Sequence, residues 1–373
     1  MRQLRPTSAH VDLSALAHNF RWVRSRVGPK VQVLAAVKGD AYGHGAANSA
    51  RALQAAGCEA FGVALVEEGA HLREAKVDGL ILCMGGVGRH GAEAAVAFDL
   101  TPVLYDEGDA ERLDRAAKLA GRRVAVHVKV DTGMGRLGVP LPHWERFLDR
   151  IAAFDNLDVA AMMTHFAESE AADRTFTLEQ LRRFSQAVAT AKRRGFSPRL
   201  LHAANSGALL TEPKTWLDLV RPGIVLYGEP PVATPEIRPV MRVSTAVLFV
   251  KDLPKGASVS YGRGFVTARP TRLATLPFGY ADGYPRAVSR KAQVLIAGRR
   301  CNVVGTVCMD LCMADVTDVP TPVESGDEVV ILGSMGGERI SAREIGDWAG
   351  TIPYEILCGF SERVPRVAVG IAE

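Results

Sequence analysis

The sequence predicts an α/β chain in which an N-terminal (β/α)8 TIM-type barrel is followed by a mostly-β domain. Three observations carry that expectation. A length of 373 residues exceeds one ordinary domain of roughly 100–200 residues. Between about residue 30 and about residue 230, eight short apolar or β-branched runs alternate with helix-like stretches. Past residue 238 the texture changes to short strand-like runs separated by turns that bear Gly or Pro.

The elements follow in order. Residues 31–37 form the first strand-like run and residues 45–56 read as its helix. Runs at 60–64, 80–83, 101–104, 124–130, 159–164, 200–203 and 223–226 complete the eight. Such alternation builds a parallel sheet, and eight strands suit a closed barrel; a doubly wound open sheet shares the same periodicity. Gly228-Glu229-Pro230-Pro231-Val232-Ala233-Thr234-Pro235 reads as a linker, because clustered prolines stop both helix and strand. The expected division is therefore 1–237 for the barrel and 238–373 for the β-domain, the extreme amino-terminal strand being free to join the latter. Runs at 240–250, 272–277, 291–296, 302–307 and 328–332 supply the β-domain.

Composition narrows the function classes. With 47% hydrophobic and 23% charged residues the chain can bury a large core, and its 36 Gly and 20 Pro follow no fibrous period. A net charge of +4 without a basic block makes nucleic acid and anionic membrane poor partners. No run reaches the roughly 18 apolar residues of a membrane span. Met1-Arg2-Gln3-Leu4-Arg5-Pro6 is not followed by an apolar run of signal-peptide length. The cysteines at 58, 83, 301, 308, 312 and 358 are scattered, and the C-x3-C of Cys308 and Cys312 is poor zinc spacing. Buried free thiols suit a reducing compartment, so a cytoplasmic protein without a metal is expected.

In an α/β barrel the chemistry gathers where strands end. Lys38 closes the first run, either as a snorkelling lysine or as a desolvated amine able to form a Schiff base. The fifth run ends in Lys129-Val130-Asp131-Thr132-Gly133-Met134-Gly135-Arg136, whose glycines permit close approach and whose Arg136 offers a planar fork for an oxygen. His165 follows the sixth run, as a structural group or a catalyst. Ser206, Gly223 and Ile224 sit near the seventh and eighth strands, the usual phosphate site of such barrels.

These residues resemble a family. Ala35-Ala36-Val37-Lys38-x-x-Ala41-Tyr42-Gly43-His44-Gly45 is similar to the cofactor-lysine segment of the alanine racemases, pyridoxal-phosphate enzymes built from a barrel and a β-domain. The resemblance runs on through Lys129–Gly138, His165, Asn205-Ser206, Arg221-Pro222-Gly223-Ile224, Ser260-Tyr261-Gly262-Arg263, Gly279-Tyr280-Ala281-Asp282, Cys308-Met309-Asp310 and Ile352-Pro353-Tyr354-Glu355. It covers essentially the whole chain. One departure stands out: Gly39-Asp40 replaces the usual Ala-Asn.

The resemblance implies that Lys38 binds pyridoxal 5'-phosphate as an internal aldimine and, once freed, acts as a base on one face of the substrate. Tyr261 is implied as the acid–base group on the other face, so that L-alanine and D-alanine interconvert by a two-base mechanism, supplying D-alanine for peptidoglycan. Arg221 is expected to face the pyridine nitrogen, where a guanidinium only donates, and His165 to hydrogen-bond Arg221. Tyr42, Ser206, Gly223, Ile224 and Tyr354 match phosphate ligands. Arg136 matches a group for the cofactor's phenolate oxygen and the substrate carboxylate, and Lys129 a lysine that some relatives carbamylate. Met309, Tyr280 and Asp310 are implied at the substrate carboxylate and the approach to it. The partner subunit would supply Tyr261, Met309 and Tyr280, making a homodimer with shared sites. A racemase of broader range (serine or basic amino acids), a decarboxylase of the same architecture and a non-catalytic carrier of the cofactor are the alternatives; such carriers lack a second domain.

Overall fold

A computed structural model describes residues 4–370; Met1, Arg2 and Gln3 of the amino-terminal reading, and the last three residues of the expected β-domain, lie outside the described residues. Eight parallel strands close into a barrel: Gln32–Ala36, Ala60–Val63, Leu80–Cys83, Thr101–Leu104, Val124–Asp131, Leu157–Met163, Leu200–His202 and Leu219–Val220. The last pairs with the first, Val220 opposite Val33, which settles the barrel against the open sheet. Helices separate successive strands, as in Ala46–Ala55, Glu107–Leu119 and Thr175–Arg193.

The eighth strand differs from expectation. Residues 223–226 are not a strand; Ile224–Tyr227 is a 3-10 turn, and the strand lies upstream at Leu219–Val220. The cause is packing rather than propensity. All four residues of the turn are buried, and the Tyr227 hydroxyl donates to the Ala36 carbonyl at 2.9 Å, fastening the turn to the first strand. A short apolar run cannot reveal which local geometry buries it. The shift has a consequence: Arg221 and Gly223 follow the strand, at the barrel's C-terminal face.

A second, ten-stranded sheet runs Phe249–Leu253, Thr271–Leu276, Cys312–Asp315, Arg299–Val304, Gln293–Ile296, Glu328–Met335, Met241–Ala246, Ser8–Asp12, Arg366–Val369, with Glu338–Ile340 beside Glu328–Met335. Ser8–Asp12 lies antiparallel to Met241–Ala246 and parallel to Arg366–Val369, so the first and last described strands pair there. The run at 240–250 is broken in two, and Cys312–Asp315 and Arg366–Val369 were not anticipated. Two helices, Ala342–Ala349 and Pro353–Gly359, also belong to this part of the chain. Among the described residues no helix is long and apolar enough to cross a membrane.

Directly after Val37 the backbone makes a left-handed turn: Gly39, Asp40, Ala41 and Tyr42 have φ of 62°, 51°, 54° and 54°. Each non-glycine residue there costs roughly 1–2 kcal/mol. Hydrogen bonds on all sides hold it. Glu68 accepts from the Gly39 N–H at 2.6 Å, Asp40 accepts from the Ala46 N–H at 2.6 Å, and Arg366 donates to the Gly43 carbonyl at 2.9 Å. A Cβ on Gly43 would meet the Leu357 carbonyl oxygen at 2.2 Å, so the helix Pro353–Gly359 lies directly on the turn. At Gly39, by contrast, the nearest atom to an added Cβ is Cys358 Sγ at 3.8 Å, leaving room. Gly39→Ala is therefore expected to lower stability by about 1 kcal/mol through backbone strain alone, with activity retained; urea denaturation and an activity assay check it.

Candidate active site

The rim at the C-terminal ends of the barrel strands gathers four cations. Lys38 follows the first strand, Lys129 lies within the fifth, Arg136 follows the fifth, and Arg221 follows the eighth. Burial lowers the Lys38 amine below its ordinary value, and the positive charges of Arg136 and Arg221 lower it further, against the opposing charge of Glu68. Lys129, only 5% exposed, is pushed down to about 8 by burial and by Arg221 and Arg136. Asp131, the acid nearest in sequence, turns back on its own loop and accepts from the N–H groups of Gly133 and Met134 at 2.9 and 3.0 Å. The cluster is thus under-neutralised and suited to a polyanionic guest.

Arg221 is buried, and both its terminal nitrogens are engaged. One arm donates to His202 Nδ1 at 2.9 Å; the other meets the Thr164 carbonyl at 2.8 Å, the Ala203 carbonyl at 3.0 Å and His165 Nδ1 at 3.2 Å. Burial, followed by the charge of Arg221, lowers His165 and His202 well below the ordinary imidazole range. Both rings are neutral acceptors toward the guanidinium, and so each carries its proton on Nε2. His202 then donates to His127 Nδ1 at 3.0 Å. His127 and His202 are not singled out by the sequence, although each is a polar residue flanked by apolar ones on a barrel strand.

A second group of residues forms a cup beside the cations. Ser206 Oγ, at the start of helix Ser206–Thr211, accepts from the Gly223 N–H at 2.9 Å, leaving its own proton to donate. Gly223 has no room for a side chain, since a Cβ would stand 2.2 Å from the Tyr42 hydroxyl. Tyr42 stacks on Tyr227 at 4.8 Å, and the ring of Tyr354, from helix Pro353–Gly359, lies 6.0 Å from that of Tyr42. Burial raises the Tyr42 phenol, so it is a neutral donor. Ile224 begins the buried 3-10 turn behind the cup.

The remaining expected residues lie elsewhere. Tyr261 stands in a 3-10 turn after the two-residue strand Ser258–Val259 and is 74% exposed. The Tyr280–Asp282 turn is joined to Met309, whose carbonyl accepts from the Ala281 N–H at 3.0 Å. Tyr280 and Met309 are exposed, and Asp310 pairs with Arg363 at 2.8 Å. None of these four is among the groups whose charge acts on Lys38. Tyr354 differs from them: it comes from beyond residue 238 and yet packs over Tyr42 of its own chain.

Residues 11–231 match the family described as "Alanine racemase, N-terminal domain", and residues 240–368 that described as "Alanine racemase, C-terminal domain". The alanine racemase of Geobacter sulfurreducens is 44% identical over 371 residues, 97% of each chain. Among solved structures, the alanine racemase of D-cycloserine-producing Streptomyces lavendulae superposes with a TM-score of 0.94 at 35% identity, covering 100% of this chain and 99% of that one. An alanine racemase from Bartonella henselae with covalently bound pyridoxal phosphate gives 0.89 at 30% identity, covering 98% and 99%.

Proposed function

The chain belongs to the alanine racemase family, and from that premise we propose that Lys38 and Tyr261 are the two acid–base groups of its reaction, brought together by a homodimer. The activity itself is that of the family: an isomerase that interconverts L-alanine and D-alanine with pyridoxal phosphate.

The residues present fit that cofactor. The cup whose Gly223 has no space for a Cβ offers the Ser206 and Tyr42 hydroxyls and the Ile224 main chain to a phosphate, with Tyr354 closing it. Lys38 would hold the aldehyde carbon and Arg221 the pyridine nitrogen. When bound, the cofactor supplies the delocalisation that stabilises negative charge at the substrate Cα. What the chain itself does is move protons and fix positions. Lys38 Nζ, its amine already lowered, takes or returns the α-proton on one face, and Tyr261 Oη does the same on the other. Arg221 carries no removable proton at neutral pH and is held by two carbonyls and two neutral imidazoles, so it donates without giving up its proton. Arg136 would meet the substrate carboxylate, with Met309, Tyr280 and Asp310 near the approach.

Lys129 is proposed as a carbamate. Its amine, near 8, is partly neutral at physiological pH, and the neutral nitrogen would bond to the carbon of carbon dioxide with loss of one proton, leaving an anion; from the ammonium form two protons are lost in all. Native mass spectrometry in bicarbonate is expected to give a chain heavier by one carbon dioxide, lost in Lys129→Ala; an unchanged wild-type mass contradicts it.

The observation that carries the shared site is the contrast between halves. Lys38 is half-buried among its own chain's groups, whereas Tyr261, Tyr280 and Met309 are exposed at 74%, 42% and 53%. Residues 1–237, closed over by Tyr354 of the same chain, would then hold the cofactor, and residues 238–373 would lend Tyr261 to the partner. Mixing Lys38→Ala and Tyr261→Ala chains is expected to restore part of the activity through hybrid sites; heterodimers without recovery contradict the assignment. A cytoplasmic location, in keeping with six free cysteines, and a role in supplying D-alanine for peptidoglycan belong to the same proposal.

A further inference from the structure

One carboxylate touches the Lys38 segment without a place in the reaction above. Glu68 stands in the first turn of helix Val66–Glu74, which follows the second barrel strand, and that strand pairs with the strand that delivers Lys38. Its Oε1 accepts from the Gly39 N–H at 2.6 Å; its Oε2 accepts from the Ala64 and Leu65 N–H groups at 2.7 and 3.1 Å. The two oxygens therefore join the ends of neighbouring strands. The Gly39 N–H is the first amide of the left-handed turn and the one next to Lys38, so its direction fixes where the turn begins.

Glu68 is also the carboxylate whose charge reaches the Lys38 amine. The other groups that face Lys38 come from five elements: Lys129 from the fifth strand, Arg136 from the loop after it, His165 after the sixth strand, Arg221 after the eighth, and Cys358 from helix Pro353–Gly359. Arg136 and Arg221 are fixed cations, Lys129 is a cation only while it is not carbamylated, His165 is neutral, and the Cys358 thiol is held protonated by burial. Asp40 is turned toward the Ala46 N–H. Glu68 is thus the carboxylate set against the two guanidinium groups, Arg136 and Arg221, that act on the amine.

We propose that Glu68 is a positioning residue for Lys38, anchoring the left-handed turn that aims the amine and placing a negative charge beside it. The inference rests on Lys38 as the reacting amine. Geometry and charge separate by substitution. Glu68→Gln removes the charge and leaves one oxygen for two sets of donors. Glu68→Asp keeps the charge but withdraws it by one methylene.

The test compares wild type, Glu68→Gln and Glu68→Asp in the full-length chain. Competitive acetylation across pH, on protein freed of cofactor, reads the titration midpoint of Lys38 by peptide mass spectrometry. The acid limb of the holoenzyme's rate profile is read beside it. Glu68→Gln is expected to move the midpoint down by about one pH unit, the lower end of what a nearby opposite charge supplies, and to move the acid limb the same way. Glu68→Asp is expected to keep the midpoint within a few tenths of a unit while the cofactor dissociates several-fold faster. A folded Glu68→Gln chain with an unmoved midpoint, or Glu68→Asp shifting as far as Glu68→Gln, overturns the proposal. Since the midpoint is read without turnover, it judges Glu68 alone. Full activity in Lys38→Ala would instead defeat the reading of Lys38.

Discussion

Lys38→Ala is expected to abolish racemisation in both directions, by at least about 10²–10⁴-fold, the range that a positioned acid–base group contributes. The loss should exceed that range if attachment of the cofactor is lost as well. Reduction with borohydride should then fix the pyridoxyl group to wild-type protein and not to the variant. The structural reason lies in where the lysine sits. Its stem leaves the barrel core directly after a buried strand, and the left-handed turn that follows it is pinned by Glu68, Asp40 and Arg366, groups distributed over both parts of the chain. An alanine at 38 keeps that backbone, so the folded state should survive with its melting temperature little changed. Loss of activity without loss of fold separates a chemical role from a structural one. Because the neutral amine is the base, activity in the direction that uses Lys38 as acceptor should fall as pH drops through its lowered pKa.

Arg221→Leu should fail in a different way, losing stability together with activity. Four acceptors in the barrel face this guanidinium: the carbonyls of Thr164 and Ala203, and the Nδ1 atoms of His202 and His165. Removing a buried donor leaves each partner unpaired at about 1–3 kcal/mol, so a loss of several kcal/mol is expected even after water or neighbouring groups recover part of it. Chemical denaturation should show a lowered midpoint at unchanged slope, and cofactor affinity should fall. The histidines should respond too: with the nearby cation gone, one cause of their lowered pKa values is removed, and His165 should titrate closer to its ordinary range. A variant as stable as wild type would show that Arg221 is not the tie between the sixth, seventh and eighth strands that its bonds describe.

These residues differ in how far the sequence reveals them. The first seven barrel strands are short runs rich in apolar residues and bounded by turns, and their alternation with helices finds them. The eighth is only Leu219–Val220, while the more apolar Ile224–Tyr227 belongs to a turn, so a reading by hydrophobicity places the strand too late. Nothing local in Gly39-Asp40-Ala41-Tyr42 asks for four left-handed residues; that turn exists because Glu68 and Arg366 arrive from remote segments. Likewise Cys312–Asp315 becomes a strand through its register with Thr271–Leu276 and Arg299–Val304, not through its composition. For the site, strand-end logic singles out Lys38, Arg136, His165 and Ser206, and the family resemblance supplies their roles. Glu68 remains hidden because it acts through a bond to a residue far along the chain, whereas His127 and His202 show as polar residues among apolar ones but their partners do not.

The central claim, reversible exchange of the α-proton of alanine, is tested most directly by incubating the holoenzyme with L-alanine in heavy water. Deuterium should appear at Cα as D-alanine accumulates, approaching equal amounts of the two enantiomers, with neither reaction in Lys38→Ala. Release of carbon dioxide from a basic amino acid, with alanine left unexchanged, would contradict it.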